Sequence, residues 1–109
     1  MKTLQEALKT GESIDTEFKS WIKASNMRER ISLAVDELIA FVNCKGGTVY
    51  LGVEDNGEVT GCTGKYDLQS IQEAIYDKTS PHLFTEIEEI EYDGKIVIAI
   101  SVERDGKTY

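Results

Sequence analysis

A chain of 109 residues has room for one core and not for two, and its content, 40% hydrophobic and 29% charged, is that of a globular domain. No apolar run approaches the roughly 18 residues of a membrane span, and the polar N-terminus does not read as a signal peptide, so a cytoplasmic protein with no membrane partner is expected. The formal charge of −8 counts against a broad nucleic-acid-binding surface, because phosphates demand basic partners.

The charge is uneven, however. Lys19, Lys23, Arg28 and Arg30 gather near the first strand and helix, while Glu86, Glu88, Glu89, Glu91 and Asp93 crowd one later segment. Both a local basic face and simple solvated side chains fit this pattern. Cys44 and Cys62 make no Cys-x-x-Cys pair, and one histidine cannot complete a zinc site with them. Each cysteine reads as buried and reduced.

Residues Thr3 to Lys9, with Leu4 and Leu8 one turn apart, suit a short docking helix or a frayed arm that Gly11 stops. Ile14, Thr16 and Phe18 alternate with Asp15, Glu17 and Lys19, which predicts a strand with the first set inward. Trp21-Ile22 follows as a core or interface anchor. Asn26 is a good N-cap and Glu29 stands where it can reach back, so the main helix should start there and run to about Asn43. Its buried stripe is Met27, Ile31, Ala34, Val35, Leu38 and Val42.

Gly46-Gly47 should close that helix through a left-handed glycine and turn the chain into the strand Thr48 to Val53. Asn56-Gly57 suggests a type I′ turn, with Glu58 to Thr60 returning antiparallel. Asp67 caps a second helix in which Leu68, Ile71 and Ile75 share a face, and Ser80-Pro81 ends it. Leu83 to Tyr92 is strand-like, but its alternation fails between Ile87 and Ile90, which predicts a bulge or an irregular edge. Asp93-Gly94 is a second tight turn. Lys95 to Val102 is apolar on both faces and should be the central strand. Arg104 to Lys107 reads as a third turn without a return strand, as expected of an N-terminal fragment of a longer protein or of a domain whose C-terminal strand is contributed elsewhere.

Glu12-Ser13 with Glu17-Phe18-Lys19, the helix end Ala40-Phe41-Val42-Asn43, and Gly46-Gly47-Thr48-Val49-Tyr50-Leu51-Gly52-Val53-Glu54-Asp55-Asn56-Gly57 with Gly61 form a combined pattern. It resembles the Schlafen Alba-like domain, assigned to DNA binding at the N-terminus of many bacterial transcriptional regulators. The likeness is close from Glu12 to Gly61 and looser from Asp67 to Val102. It implies an α+β fold in which a mixed or antiparallel sheet packs with two main helices, Alba-like, here without C-terminal strands of the full-length family. Residues 1–109 would then be one such domain, followed by further domains of the same protein.

The resemblance also implies a second chemistry, since some members of the wider Schlafen group carry a metal-dependent ribonuclease built on three acids. The matching positions are Glu12, Glu17 and Asp55, which would hold Mg²⁺ or Mn²⁺ to activate water and stabilise charge on a phosphate. Asp55 equally suits the bonding of its own turn beside Asn56-Gly57. Gly46-Gly47 follows a helix, and Lys45 precedes it, so the order of a phosphate-binding loop is reversed. His82 has no nucleophile at motif spacing and receives no role.

Three functions stay open at this point. The first is a nucleic-acid-binding module without catalysis or cofactor, meeting DNA or RNA phosphates through Lys19, Lys23, Arg28, Arg30 and Lys45. The second is the metal-dependent nuclease. The third is a protein-interaction or oligomerisation domain, with a homodimer as its simplest assembly.

Overall fold

The structure, a computed structural model, describes residues 3–104. Three helices and four strands follow one another as α1 (Leu4–Thr10), β1 (Thr16–Lys19), α2 (Met27–Val42), β2 (Gly47–Leu51), α3 (Leu68–Lys78), β3 (Glu86–Tyr92) and β4 (Lys95–Val102). The strands form one mixed sheet in the order β1-β2-β4-β3. β1 and β2 run parallel, joined by α2 as a crossover, and the other two pairings are antiparallel. No described helix is long and apolar enough to cross a membrane.

The main helix forms where its caps and stripe place it. The Asn26 side chain accepts a 2.9 Å hydrogen bond from the Glu29 N–H, and the Glu29 carboxylate in turn accepts one of 2.8 Å from the Ser25 N–H. The reciprocal box therefore reaches one residue further back than the spacing suggests. Ile31, Ala34, Val35, Leu38, Phe41 and Val42 are buried along one face of the helix. They meet Val49, Leu51, Ile98, Ile100 and Val102 of the sheet, with Ile71 and Ile75 of α3 alongside. A smaller core lies on the opposite sheet face, where Leu4 and Ala7 of α1 cover Phe18, Tyr50, Val97 and Ala99. The N-terminal segment is thus a docking helix. β4 feeds both cores, as its two-sided apolar pattern requires.

β3 departs from the expected bulge. Its pairing with β4 runs unbroken from Glu86↔Ser101 to Tyr92↔Lys95. Ile87 packs into the larger core and Ile90 into the smaller, so the odd spacing reflects one anchor per face of an edge strand and no irregularity in the ladder. Ile14 is 67% exposed and lies before β1; its place is taken by a tight turn in which the Ser13 N–H bonds the Thr16 carbonyl at 2.9 Å. Trp21 is a core residue as expected, whereas Ile22 next to it is exposed.

Glycine chemistry at the α2–β2 junction divides between two residues. Gly46 carries the positive φ, +86°, and its N–H bonds the Phe41 carbonyl at 2.7 Å. Gly47 has ordinary φ but no room, because a Cβ there would stand 2.7 Å from the Phe41 ring and 2.8 Å from the Asp15 carbonyl oxygen. Gly47→Ala should therefore cost about 1–3 kcal/mol through overpacking. Urea denaturation checks this, and a loss under about 0.5 kcal/mol would show that Phe41 moves aside freely.

The hairpin at Asn56-Gly57 is not type I′. Gly57 has φ +88° but Asn56 does not enter the left-handed region, and Glu54 N–H bonds Glu58 O across three loop residues. This is a type I turn closed by a left-handed glycine, and only the Val53↔Val59 bridge follows it. Asp93 (φ 50°) and Gly94 (φ 76°) do make a two-residue turn with both positions left-handed, as expected. Residues 105–107 of the anticipated third turn lie outside the described residues.

Candidate functional site

The parallel pairing of β1 with β2 turns Glu17 and Lys19 towards α2, opposite the buried Thr16 and Phe18. Lys19 Nζ lies between two carboxyl groups there, 3.8 Å from Glu17 Oε1 and 3.4 Å from Glu37 Oε1. Glu12, in the turn before β1, reaches the same place, and its carboxylate accepts a 3.0 Å hydrogen bond from the Phe18 N–H. Two of the three acids named from the motif therefore meet. Glu37, which local sequence did not single out, joins them across the helix–strand contact.

These charges share protons unequally. Burial, the hydrogen bond to Glu12 and the nearby Glu37 and Glu12 charges push Glu17 up to about 8, with Lys19 opposing. Glu12 is held below its ordinary value, first by the hydrogen bond from Glu17 and then by the Phe18 N–H and Lys19, against some burial. The pair is best described as one carboxylic acid donating to one carboxylate.

A pH dependence follows, and its sign is fixed by the direction of the shift. Glu17 keeps its proton in the folded chain up to about pH 8, while the ordinary value is 4.5. Its contribution to stability is complete below pH 4.5 and is lost as pH rises through 8. Glu17→Gln, neutral at every pH, should abolish that decline. Melting midpoints of both chains at pH 5.5 and pH 9 measure it, and parallel falls in the two would refute the assignment.

Asp55 lies elsewhere, in a surface depression of about 420 Å³ that also takes in Lys23, Glu54 and Thr60. The buried acid at this hairpin is its neighbour Glu54, 6% exposed. Thr60 donates a 2.5 Å hydrogen bond to Glu54 Oε2, and Lys23 Nζ sits 3.1 Å from Oε1. Oε1 accepts no hydrogen bond of good angle, so the Lys23 contact is an ion pair. Burial alone would raise this carboxyl, but Thr60, Ser20 and Lys23 together hold it below the ordinary glutamate value.

The five cations occupy different environments. Lys23 is 74% exposed along its side chain despite the Glu54 pair. Arg28 and Lys45 are exposed. Arg30, two residues beyond Arg28, leaves α2 about 200° around the helix from it. Its guanidinium lies 4.1 Å over the Trp21 ring and donates to the Trp21 carbonyl at 2.9 Å and the Ala24 carbonyl at 3.3 Å. Trp21 itself donates its indole N–H to Thr63 O at 3.0 Å. Arg30 thus seals the end of the core. Arg104, a further cation near the N-terminal end of β2, donates to the Cys44 carbonyl at 3.0 Å. Cys62 is buried and its thiol is pushed up to about 11, first by burial, while Cys44 is half-buried.

The acids do not fit a metal centre. Among the described residues no group of three or more His, Cys, Asp or Glu could hold a metal ion, and the Lys19 ammonium already bridges Glu17 and Glu37.

An α+β domain with a four-stranded mixed sheet between two helices and a short docking helix is the class that this geometry defines. A family model described as Schlafen, AlbA_2 matches residues 12–108, and the chain belongs to that family. Among solved structures it is similar to the DIP2311 protein of Corynebacterium diphtheriae, with TM-score 0.69 and 18% identity over 95% of this chain. The chain spans 22% of the length of that protein. It is also similar to the N-terminal domain of a Nitrosomonas europaea protein related to the ATP-dependent DNA helicase RecG, with TM-score 0.62, 21% identity, and coverage of 95% of this chain and 74% of that one. None of the curated proteins matches it.

Proposed function

We propose that this chain is a nucleic-acid-binding module of a bacterial transcriptional regulator, ahead of further domains of the same protein. Membership of the Schlafen AlbA_2 family over residues 12–108 carries the reading. The similarity to a domain of a protein whose name concerns a DNA helicase supports the same setting. Lys23, Arg28 and Lys45 are the exposed cations that suit phosphate contact. Lys19, held between Glu17 and Glu37, and Arg30, held against Trp21, contribute less. Contacts of this kind position a duplex without reading its sequence.

With three such contacts the affinity belongs in the weak, non-specific range, on the order of 10⁻⁴–10⁻⁶ M. Reversing Lys23 and Arg28 to Glu together should weaken duplex binding at least tenfold in fluorescence anisotropy, measured well below a melting midpoint that the loss of the Lys23–Glu54 pair is expected to lower. Binding that survives the double reversal would remove these residues from the contact surface.

A nuclease reading draws on the meeting of Glu12 with Glu17, but Asp55 lies in a different depression, and no step of the proposal runs through Mg²⁺ or Mn²⁺.

A further inference from the structure

The groove between α3 and the segment Leu83 to Thr85 is built from side chains that neither the basic residues nor the Glu12–Glu17 pair involve. It encloses about 410 Å³ and is lined by Gln72, Glu73, Tyr76, Asp77, Phe84 and Thr85, with Leu83 beneath. Phe84 is 74% exposed, with its ring 5.3 Å from that of Tyr76 in an edge arrangement. Tyr76 also stacks on His82 at 4.1 Å. Three rings thus form a ledge on the surface, where isolated apolar side chains are ordinary but a cluster marks a contact site. Thr85 is only 7% exposed, yet its hydroxyl has no hydrogen-bond partner. A buried polar group left unpaired beside a groove asks for a partner from outside.

β3 starts one residue further on, and among the described residues its outer edge pairs with no strand. Such an edge presents free N–H and C=O groups to any extended chain that can approach. Charge decides which chain can. Glu73 and Asp77 line the groove, no Lys or Arg does, and Glu86, Glu88 and Glu91 stand exposed along the edge strand. A second copy of this chain would bring the same acids against them, with −8 on each copy. A nucleic acid could stack a base on Phe84, but its phosphates would meet the same carboxylates.

We propose that the groove and the outer edge of β3 dock an extended segment of a partner protein that carries lysine or arginine. An apolar side chain of the segment lies on Phe84 and Tyr76, its backbone meets the Thr85 hydroxyl and the β3 edge, and its basic side chains pair with Glu73, Asp77 and Glu86. Lys45 lines a neighbouring depression that also takes in Phe84, Thr85 and Glu86, whereas Lys23 and Arg28 line neither it nor the groove, so the loss of phosphate contacts at Lys23 and Arg28 is read separately from the loss of this docking surface.

The test uses a fluorescein-labelled peptide of alternating lysine and valine, and the same peptide N-methylated at alternate amides, titrated with the 109-residue chain. The wild-type chain is expected to bind the first peptide and to bind the methylated one at least tenfold more weakly. Phe84→Ala and the double variant Glu73→Lys, Asp77→Lys should each lose at least tenfold while keeping the wild-type melting curve. Absence of binding at low salt would overturn the proposal. So would binding that Phe84→Ala and N-methylation leave intact, since charge alone would then explain it. Displacement of the peptide by a single-stranded oligonucleotide would reassign the ledge to base stacking, and Phe84-dependent self-association in sedimentation would reassign it to a second copy.

Discussion

Trp21→Ala should destabilise the chain by about 3–5 kcal/mol, among the largest single losses expected of it. Trp21 is 2% exposed and links three parts of the fold. Its N–H bonds Thr63 in the loop before α3, its ring meets Tyr66 edge-on at 5.3 Å, and Arg30 of α2 lies across it. Truncation leaves a cavity, an unpaired Thr63 carbonyl and a guanidinium without its aromatic support. Trp21→Phe keeps a ring and should recover more than half of the loss. Urea denaturation with an unchanged slope measures both. A loss under about 1 kcal/mol for the alanine variant would mean that the indole is not packed as described.

Ile98→Ala comes next, at roughly 2–5 kcal/mol. The side chain is fully buried in β4, and its strand neighbours across the sheet are Leu51 and Glu89. It faces the core under α2, where no solvent can enter to fill the space it leaves. Ile98→Val should cost only about 0.5–1.5 kcal/mol, because the branched stem remains. A loss below about half a kcal/mol for the alanine variant would place the central strand elsewhere.

Both residues stand out in the sequence for physical reasons. Ile96 to Val102 alternates apolar residues on both faces, which suits a strand covered twice, and a lone tryptophan after a strand is too large to leave in water. The α2 stripe, its Asn26 cap and the Asp93-Gly94 turn were legible on the same grounds, since each depends on neighbours within a few residues. Ile87 and Ile90 were not, because a three-residue spacing looks irregular until both sheet faces are known to be covered. At the hairpin, Asn56-Gly57 announced a turn, but the three-residue loop depended on Glu54 pairing with Glu58.

The acidic site was half legible. Glu12 and Glu17 meet because the turn at Ser13 brings one beside the other, whereas Glu37 enters only through the packing of α2 on β1 and leaves no local trace. Glu54 was overshadowed by the more exposed Asp55, and its burial comes from its place beside Thr60, six residues away. Among the bases, the spacing of Trp21 and Arg30 carries no sign that one will cover the other. Counting cations along the sequence therefore overstates how many are free.

The number of free cations is what nucleic-acid binding reports most directly. The logarithm of affinity falls with the logarithm of salt at a slope of about −0.9 per phosphate neutralised on a duplex. Lys23, Arg28 and Lys45 acting together predict a slope of roughly −3, and five equal contacts would give about −4.5. The decisive measurement is a duplex-DNA anisotropy titration of the chain, repeated across a range of salt concentrations. A slope near −3 that falls to about −1 with Lys23 and Arg28 both reversed to Glu is the predicted result. No binding at low salt, or a slope that the double reversal leaves untouched, would contradict it.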